Sequence, residues 1–282
     1  MKILVTGASG QLGHDLMLEL TRRGHDTTGV GSKELDLTDA AAVRKYLNAL
    51  RPDAVMHCAG YTAVDRAEEE RETCFAVNVL GTEAIAEACA DVGSKLLFLS
   101  TDYVFSGEGE RPWEPADPPS PINVYGMSKY RGEEAVRSRV KEHFIVRISW
   151  LFGIHGRNFV KTMLRLGAEN ERITVVCDQV GSPTYTKDLS VLLADMIVTD
   201  KYGTYHATNE GFCSWFEFAD AIMRLADLPA RVVPVLSSEY PAKAKRPANS
   251  RMSKEKLTAN GFQSLPPWED ALRRYLRELK EN

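Results

Sequence analysis

The first half of the chain alternates short, nearly continuous apolar runs with segments of helical periodicity. The apolar runs are KILVTG, DAVMHCAG, KLLFLST and FIVRISW, and such runs are typical of strands buried on both faces. Helical patterns that end at Gly or Pro lie between them: QLGHDLMLELTRRG, AAAVRKYLNALRP and ETCFAVNVLGTEAIAEACADVG. Because parallel strands need helical crossovers, this alternation predicts an α/β fold with a doubly wound parallel sheet and right-handed connections.

From about residue 150 the pattern loosens into short segments of both kinds. Helical periodicity returns in NFVKTMLRLGAE, WFEFADAIMRLADLP and WEDALRRYLRELKEN, and RITVVCD and ARVVPVL are predicted strands. With 282 residues, 44% of them hydrophobic, the chain can form one large domain or two unequal ones. We predict a first domain over 1–150 and, over 151–282, a smaller mixed α/β lobe with some segments returning to the first domain.

Composition narrows the classes of partner and compartment. A net charge of −4 argues against a broad nucleic-acid surface, which requires a basic face. The five cysteines are scattered and form no Cys-x-x-Cys pair, which favours a reduced setting. The sequence shows neither the apolar region of a signal peptide nor a run of about 18 apolar residues. We expect a soluble cytoplasmic protein that binds neither nucleic acid nor membrane.

The segment ILVTGASGQLGHDL places Gly7, Gly10 and Gly13 between the first strand and the first helix. Glycines at this point permit a tight turn and a close approach of the backbone to a pyrophosphate at the helix N-terminus. The spacing G-x-x-G-x-x-G is one residue longer than the common dinucleotide fingerprint. Three glycines alone are a weak signal, but the strand before and the helix after them predict a Rossmann dinucleotide-binding domain.

The tip of the second strand bears on the choice of nicotinamide cofactor. A site that strictly prefers NAD has an acidic residue here, which holds the ribose 2′-hydroxyl. Residues 30–33 read Val-Gly-Ser-Lys, without a carboxylate, and Ser32 and Lys33 could bind a 2′-phosphate. We therefore predict NADPH, with NADH use left open. Asp36 and Leu37 would suit the adenine, or else belong to the cap of the next helix.

Tyr125 and Lys129 stand four residues apart in SPINVYGMSKYRGEEA and share one face of a predicted helix. The apolar run before them ends in Thr101 and Asp102, at the carboxyl end of a central strand. A hydroxyl there can bond a carbonyl, and a tyrosine can transfer protons if a nearby ammonium lowers its pKa. By itself the Tyr–Lys pair could be an ordinary surface contact. Next to the glycine turn, it favours proton transfer beside a nicotinamide.

Together, these motifs resemble those of the extended short-chain dehydrogenase/reductases, and Asn78 in NVLGT matches a further motif of that superfamily. As an alternative, Asn78 could be a buried, backbone-bonded asparagine. Longer strings resemble the dTDP-4-dehydrorhamnose reductase family along the whole chain: CAGYTAVDRAE, STDYVFSGEGERPW, NVYGMSKYRGE, RISWLFG, NFVKTML, DQVGSPT and RPANSRM. The resemblance implies reduction of the 4-keto group of dTDP-4-dehydro-6-deoxy-L-mannose to dTDP-L-rhamnose, for surface polysaccharide synthesis.

The resemblance also implies roles for single residues. Cofactor contacts are implied for Gly10, Gln11, Leu12, Asp36, Leu37, Gly60, Tyr61 and Thr62. Tyr125 would donate the proton, Lys129 would be its partner, and Thr101 would bond the same oxygen. Substrate contacts are implied for Thr101, Asp102, Trp150, Asn158, Arg246 and Asn249. Core packing for Trp150, helix capping for Asn158 and a solvated loop for Arg246 remain the alternatives.

Several points stay open at the level of sequence. The basic candidates for a nucleotide diphosphate are Lys161, Arg165, Arg246 and Arg251. Some family members carry an aspartate at the position of Val30. This chain lacks that aspartate, which agrees with the NADPH prediction. Part of the family is reported to bind magnesium at a dimer interface, but Asp15 has no clear partners here, so we predict no metal.

Homodimers are common for such folds, and the oligomeric state is not readable from the sequence. Two other functions remain as alternatives. The chain could be another nucleotide-sugar 4-ketoreductase, or a non-catalytic regulatory subunit of methionine adenosyltransferase, which shares the dinucleotide fold.

Overall fold

A computed structural model describes residues 1–281, and the predicted strand–helix alternation is confirmed over the first half. The strands and helices up to residue 148 are β1 (Lys2–Thr6), α1 (Gln11–Arg22), β2 (Asp26–Val30), α2 (Ala40–Leu50), β3 (Ala54–His57), α3 (Val64–Ala67), α4 (Arg71–Phe75), α5 (Thr82–Val92), β4 (Lys95–Thr101), α6 (Val124–Arg139) and β5 (His143–Ile148). A π-helical segment at Ala76–Gly81 joins α4 to α5, and a 3₁₀ turn at Asp102–Val104 follows β4.

The second half consists of shorter strands and longer helices. They are β6 (Leu151–Phe152), α7 (Phe159–Glu169), β7 (Arg172–Val176), β8 (Val180–Gly181), β9 (Thr184–Tyr185), α8 (Thr186–Ile197), β10 (Gly203–His206), β11 (Asn209–Glu210), β12 (Cys213–Ser214), α9 (Trp215–Ala226), β13 (Arg231–Val235), α10 (Glu255–Ala259), β14 (Leu265–Pro267) and α11 (Trp268–Glu281). A 3₁₀ turn covers Ser237–Glu239. The two predicted strands of this half, β7 and β13, pair with each other in parallel.

Six parallel strands form the central sheet in the order β10-β5-β4-β3-β1-β2. The chain moves from β1 outward to β2 and then crosses back to place β3 on the other side of β1. This reversal is the topological switch of a doubly wound sheet, and ligands bind beyond the strands' carboxyl ends at such a point. The predicted fold class, a doubly wound Rossmann sheet, is therefore confirmed.

Alternating side chains of the strands supply two separate cores. Ile3, Val5 and Phe144 pack under α1 and α8 on one face. Leu4 and Phe98 pack under α2, α5 and α6 on the other face. Neither α8 nor β10 was predicted from the sequence. Both come from the second half of the chain: β10 adds a strand beside β5, and α8 packs against α1 on one face of the sheet.

A third core fills the lobe formed by the rest of the second half. Phe152, Phe218 and Tyr275 bring β6, α9 and α11 together there, and α7 adds Val160 and Met163. The domain division at residue 150 stays a prediction. Within residues 1–281, the helices lack the combination of length and apolar composition needed to cross a bilayer.

Replacing Leu193 with Ala should lower the free energy of unfolding by about 2–5 kcal/mol, because its fully buried side chain joins α8 to the core over the sheet. The measurement is urea denaturation followed by circular dichroism. Val191→Ala is the matched control on the same helix, since Val191 is 43% exposed and should change stability by no more than about 0.5 kcal/mol. Equal effects of both variants would contradict the packing of α8 described above.

Candidate active site

A cavity of about 650 Å³ opens at the carboxyl ends of the central strands. It begins at the switch point between β1 and β3 and extends past β4 to the first turn of α6. Most of the predicted site residues line it: Gly7, Gly10, Gln11, Leu12, Gly13, Ser32, Asp36, Leu37, Gly60, Thr62, Thr101, Asp102, Tyr125, Lys129 and Trp150. The fold thus brings the glycine turn, the Tyr–Lys pair and the Thr-Asp strand end into one space.

The glycine turn has no room for side chains. Gly7 has a left-handed backbone with φ of +69°, and a Cβ placed on it would lie 2.8 Å from the backbone nitrogen of Ala59. A Cβ on Gly13 would lie 2.1 Å from the carbonyl oxygen of Gly7. Gly10 precedes α1 without a side-chain cap, so the first amides of this helix are available to an anion. This cradle fits the pyrophosphate of a dinucleotide.

The tip of β2 differs from the prediction. Gly31 and Ser32 line the cavity, but Lys33 is exposed and lies outside the lining. A tight turn, closed by hydrogen bonds onto the Gly31 carbonyl, folds the chain back over the strand end. As a result, the Glu34 carboxylate accepts a hydrogen bond from the Gly31 amide at 2.8 Å. The expectation that no carboxylate stands at this tip was wrong, because the turn brings one from further along the chain.

Asp36 and Leu37 continue this wall of the cavity. The Asp36 carboxylate accepts hydrogen bonds from the amide and hydroxyl of Thr38, at 2.9 and 2.7 Å. Asp39 provides the cap of α2, through a bond from the Ala42 amide. Asp36 therefore shapes the turn before α2 but does not cap the helix.

Asn78 lies in the π-helical segment and is almost fully buried. Its side chain accepts from the Tyr61 amide at 2.7 Å and donates to the Tyr61 carbonyl at 3.0 Å. A third bond, at 2.9 Å, reaches the Ser128 hydroxyl on α6. Asn78 is thus a buried asparagine bonded to the backbone, which is the alternative role that the sequence left open for it. In that role it fixes the loop after β3, which contributes Gly60 and Thr62 to the cavity.

Two elements, β4 and α6, position the proposed proton-transfer groups. Thr101 ends β4, and Tyr125 lies in the first turn of α6, which Asn123 caps. This turn packs tightly against the 3₁₀ turn that follows β4, since a Cβ on Gly126 would lie 2.1 Å from the Tyr103 carbonyl oxygen. One turn later, the buried Lys129 ammonium lies 4.1 Å above the centre of the Phe98 ring.

Burial dominates the protonation of this group of residues. It lowers the pKa of Lys129 to about 8, against the charge of Glu133 one turn later. The pKa of Tyr125 is raised by burial and by the charge of Asp102, and the Thr101 side chain opposes this only in part. The sequence predicts a lowered pKa for Tyr125. The structure gives the opposite direction, because burial and then the charge of Asp102 disfavour the phenolate.

Trp150 lines the cavity just after β5 in a left-handed backbone conformation, with φ of +49°. Such a conformation is costly for a bulky residue and persists where packing enforces it. The Trp150 ring stacks on Trp215, with centroids 3.7 Å apart, and lies where a side chain on Gly181 would collide with it. Trp150 therefore lines the cavity, as a substrate contact would, and also packs against neighbouring residues, as its alternative role of core packing requires.

Two predicted contact residues direct their side chains to other partners. The Tyr61 hydroxyl donates to the Glu70 carboxylate at 2.6 Å, outside the cavity lining. Asn158 caps α7 by accepting from the Lys161 amide, and its amide nitrogen donates to the Gly153 carbonyl. Asn158 therefore has the capping role that was left as its alternative.

The RPANSR segment is held by ion pairs and hydrogen bonds rather than solvated. Arg246 pairs with Asp65 at 2.7 Å, and it lies outside the cavity lining. Asn249 is buried, donates to the Arg111 carbonyl at 2.8 Å and accepts from the Arg251 backbone and guanidinium. Both residues therefore brace the segment, and their contact with a substrate stays a prediction.

Of the other basic candidates, Lys161 bonds carbonyls of the loop before α7, and Arg165 pairs with Glu169 on an exposed helix face. Besides Lys129, the cavity is lined by a second basic residue, Arg157, which was not predicted. Its signal in the sequence is weak, a basic residue beside Gly156 in a loop after a short strand. Other unpredicted lining residues include Ser9, Gly31, Cys58, Ala59, Tyr103 and Ser149.

Asp15 has more partners than the sequence suggested. It lies on α1 with His14 and near His155, and one potential ligand atom of each lies within 4.8 Å of the others. Asp15 also accepts a hydrogen bond from the Thr186 hydroxyl. The two imidazole rings are tilted by 31° to each other, with centroids 3.4 Å apart. The absence of a metal stays a prediction.

Known proteins resemble this chain along nearly its full length. The sequence matches the model of the RmlD substrate binding domain over residues 1–281. It is 45% identical over 277 residues to a dTDP-4-dehydrorhamnose reductase of Streptomyces griseus, covering 95% of this chain and 91% of the relative. It is also 39% identical to the spore coat polysaccharide biosynthesis protein SpsK of Bacillus subtilis, covering 98% and 97%.

A solved structure gives the same result. The crystal structure of dTDP-4-dehydrorhamnose reductase from Bacillus anthracis in complex with NADP superposes with a TM-score of 0.96. The two chains are 45% identical, and the match covers 98% of this chain and 99% of the other. With a dinucleotide cradle and a Thr–Tyr–Lys set in one cavity, and with matches of this extent, the chain belongs to the RmlD substrate binding domain family.

Proposed function

We propose that this protein is a dTDP-4-dehydrorhamnose reductase. It uses NADPH to reduce the 4-keto group of dTDP-4-dehydro-6-deoxy-L-mannose and forms dTDP-L-rhamnose for surface polysaccharide. The observation that carries this proposal is the continuity of one cavity, from the glycine turn to Thr101, Tyr125 and Lys129. A pure binding module would have no need of this set. The relatives named above support the same activity.

The glycine turn and the amides at the start of α1 would hold the cofactor's pyrophosphate, for the steric reasons given above. Arg157 adds a positive charge on the same side, because its loop adjoins the turn, with a Cβ on Gly156 placed 3.1 Å from Gln11. Ser32, Asp36 and Leu37 would face the adenosine half. When bound, the reduced nicotinamide supplies the hydride for the reduction.

The chain's own residues would do the remaining work. Tyr125 gives its proton to the oxygen that gains charge, while Thr101 bonds the same atom. Lys129 lies on the same face of α6 and favours the charged form of the phenol. Fixed donors aimed at a developing oxyanion lower the barrier because they need no reorganisation during the reaction. Trp150 and Asp102 would shape the space for the sugar. Asn158, Arg246 and Asn249 are the further predicted contacts of the substrate.

A direct assay tests the function. Purified protein is mixed with NADPH and enzymatically prepared dTDP-4-dehydro-6-deoxy-L-mannose, and the absorbance of NADPH is followed with product analysis. Formation of dTDP-L-rhamnose is the expected result. Activity only with other dTDP- or GDP-linked ketosugars would favour another 4-ketoreductase. NADPH binding without oxidation, together with co-purification of a methionine adenosyltransferase, would favour the regulatory role. A cytoplasmic location and a homodimer stay predictions.

Tyr125→Phe should retain NADPH binding and lower turnover by a factor on the order of 10²–10⁴, since it removes one general acid. Turnover is measured in the assay above, and cofactor binding by the fluorescence of NADPH. Tyr130→Phe is the control on the same helix, because Tyr130 lies outside the cavity lining and should leave turnover unchanged. Near-wild-type turnover of Tyr125→Phe would remove Tyr125 from this role.

Glu34→Gln should raise the preference for NADPH over NADH by roughly tenfold, since about 1.4 kcal/mol of repulsion from a 2′-phosphate would be lost near the surface. The measured quantity is the ratio of kcat/KM for the two cofactors. Lys33→Gln should lower that ratio if Lys33 meets the phosphate. Glu171→Gln, a remote exposed carboxylate in the lobe, is the control. An unchanged ratio in Glu34→Gln would show that Glu34 swings away when the cofactor binds.

A further inference from the structure

Asp102 is a buried carboxylate beside the reacting groups, and the proposed mechanism uses it only as a sugar contact. It lines the cavity, is 2% exposed, and its Oδ2 atom has no hydrogen-bond partner of normal geometry within residues 1–281. The Ser250 side chain lies near enough to favour the charged carboxylate without bonding Oδ2 in that way. An unsatisfied buried carboxylate oxygen is costly, so its retention at a reaction centre calls for an explanation.

The Thr101 hydroxyl connects Asp102 to the phenol of Tyr125. Its oxygen accepts a hydrogen bond from the Tyr103 amide at 3.2 Å and donates to Asp102 Oδ1 at 2.9 Å. The same side chain adjoins the Tyr125 phenol. A hydroxyl has one proton and two acceptor sites. With one acceptor site taken by the amide, the second site can take a proton from a neutral Asp102, and the hydroxyl's own proton is left for the C4 oxygen and then for Tyr125.

We propose that Asp102 is the proton reservoir for Tyr125, and that the Thr101 hydroxyl relays the proton between them. This inference rests on the proposed function and adds a catalytic role to Asp102. Contacts of this kind are often loose in a free enzyme and tighten when the substrate is bound. The relay therefore closes fully only in the complex.

The proton balance is simple. Hydride addition to C4 breaks the C=O π bond and places the electron pair on oxygen, which takes the Tyr125 proton. Once the C4 oxygen is a hydroxyl group, it no longer needs the hydrogen bond from Thr101. Thr101 then gives its proton to the tyrosinate and takes the proton of the Asp102 carboxylic acid. Asp102 ends as a carboxylate and regains a proton from solvent when the product leaves. No oxidant or reductant is needed beyond the nicotinamide cofactor of the proposed function.

The charged surroundings of Asp102 allow it to hold a proton. Burial raises its pKa to about 6, although Ser250 and Thr101 favour the carboxylate. From α6, Tyr125 and Lys129 face the same cavity. On the other side lies Tyr103, next to the ion pair of Arg246 and Asp65. These opposite charges largely offset each other, whereas the Lys129 ammonium across the cavity favours the carboxylate.

The Asp102 carboxylic acid is a stronger acid than the Tyr125 phenol, as proton transfer toward Tyr125 requires. The pKa of Tyr125 is raised by burial and by the negative charge of Asp102. A neutral Asp102 removes that charge and makes Tyr125 a better acid. Transfer from a carboxylic acid to a tyrosinate is then strongly favourable, so tyrosinate does not accumulate.

The test is the pH dependence of kcat/KM for the ketosugar, which reports groups of the free enzyme. The protonated form of Asp102 declines as pH rises through its pKa of about 6. The wild-type kcat/KM should therefore fall above that pH. In Asp102→Asn this fall should disappear, and kcat near pH 6 should drop on the order of 10²-fold, since the amide cannot supply a proton.

A solvent isotope experiment provides a second readout. In mixtures of H₂O and D₂O, kcat of the wild type should follow a curved dependence, because several protons move together. In Asp102→Asn it should become linear. NADPH binding, measured by fluorescence, shows whether the variant is folded. Glu110→Gln, an exposed carboxylate in the segment after β4, is the control and should keep the wild-type pH profile.

The outcomes separate the relay from a sugar contact. A raised KM with unchanged kcat and pH profile in Asp102→Asn would overturn the relay and leave Asp102 as a contact for the sugar. A linear isotope dependence in the wild type would overturn it as well. By contrast, a wild-type protein that never reduces the ketosugar at any pH would overturn the proposed function itself.

Discussion

The active site depends on one buried carboxylate, that of Glu133 on α6. It is fully inaccessible to solvent and accepts hydrogen bonds from Arg147 on β5, at 2.8 and 2.7 Å, and from Ser100 on β4, at 2.6 Å. Burial alone would raise the pKa of Glu133, but Arg147, with Arg137 and Ser100, holds it below its ordinary value. Losing one partner of such a pair typically costs about 3–5 kcal/mol, because the other charge stays buried.

This ion pair explains why the reacting groups meet. Ser100 directly precedes Thr101 on β4, and Glu133 lies one helical turn after Lys129. The bond between Ser100 and Glu133 therefore sets the height of α6 relative to the strand end. Arg147, which is paired with Glu133, also contacts Phe105 after β4, with its guanidinium 4.9 Å from the centre of the Phe105 ring. Helix and strand are thus joined below the cavity, and the groups that face the cavity are left free for chemistry.

Much of this arrangement could be predicted from particular residues, and the failures have physical causes. The glycine spacing and the Tyr125–Lys129 pair depend on local geometry, so they are readable from a linear pattern. Glu34 was missed because a turn, not the strand, places its carboxylate at the tip of β2. The partners of Arg246 and Asn249, which are Asp65 and Arg111, could not be read from the sequence because they lie far away in it, and the role of both residues as substrate contacts stays a prediction. Helix α8 was missed because its apolar residues show little one-sided pattern when most of the helix is buried.

By itself, the sequence determined the class of fold, the position of the dinucleotide turn and the identity of the Thr, Tyr and Lys at the strand end and helix start. These follow from periodicity, from glycine sterics and from i,i+4 spacing, all of which are local. Only the tertiary structure decided that Asp102 keeps a carboxylate oxygen without a partner, that Arg157 lines the cavity and that Asn78 braces the loop after β3. Those properties depend on burial and on partners many residues away, which no linear pattern records.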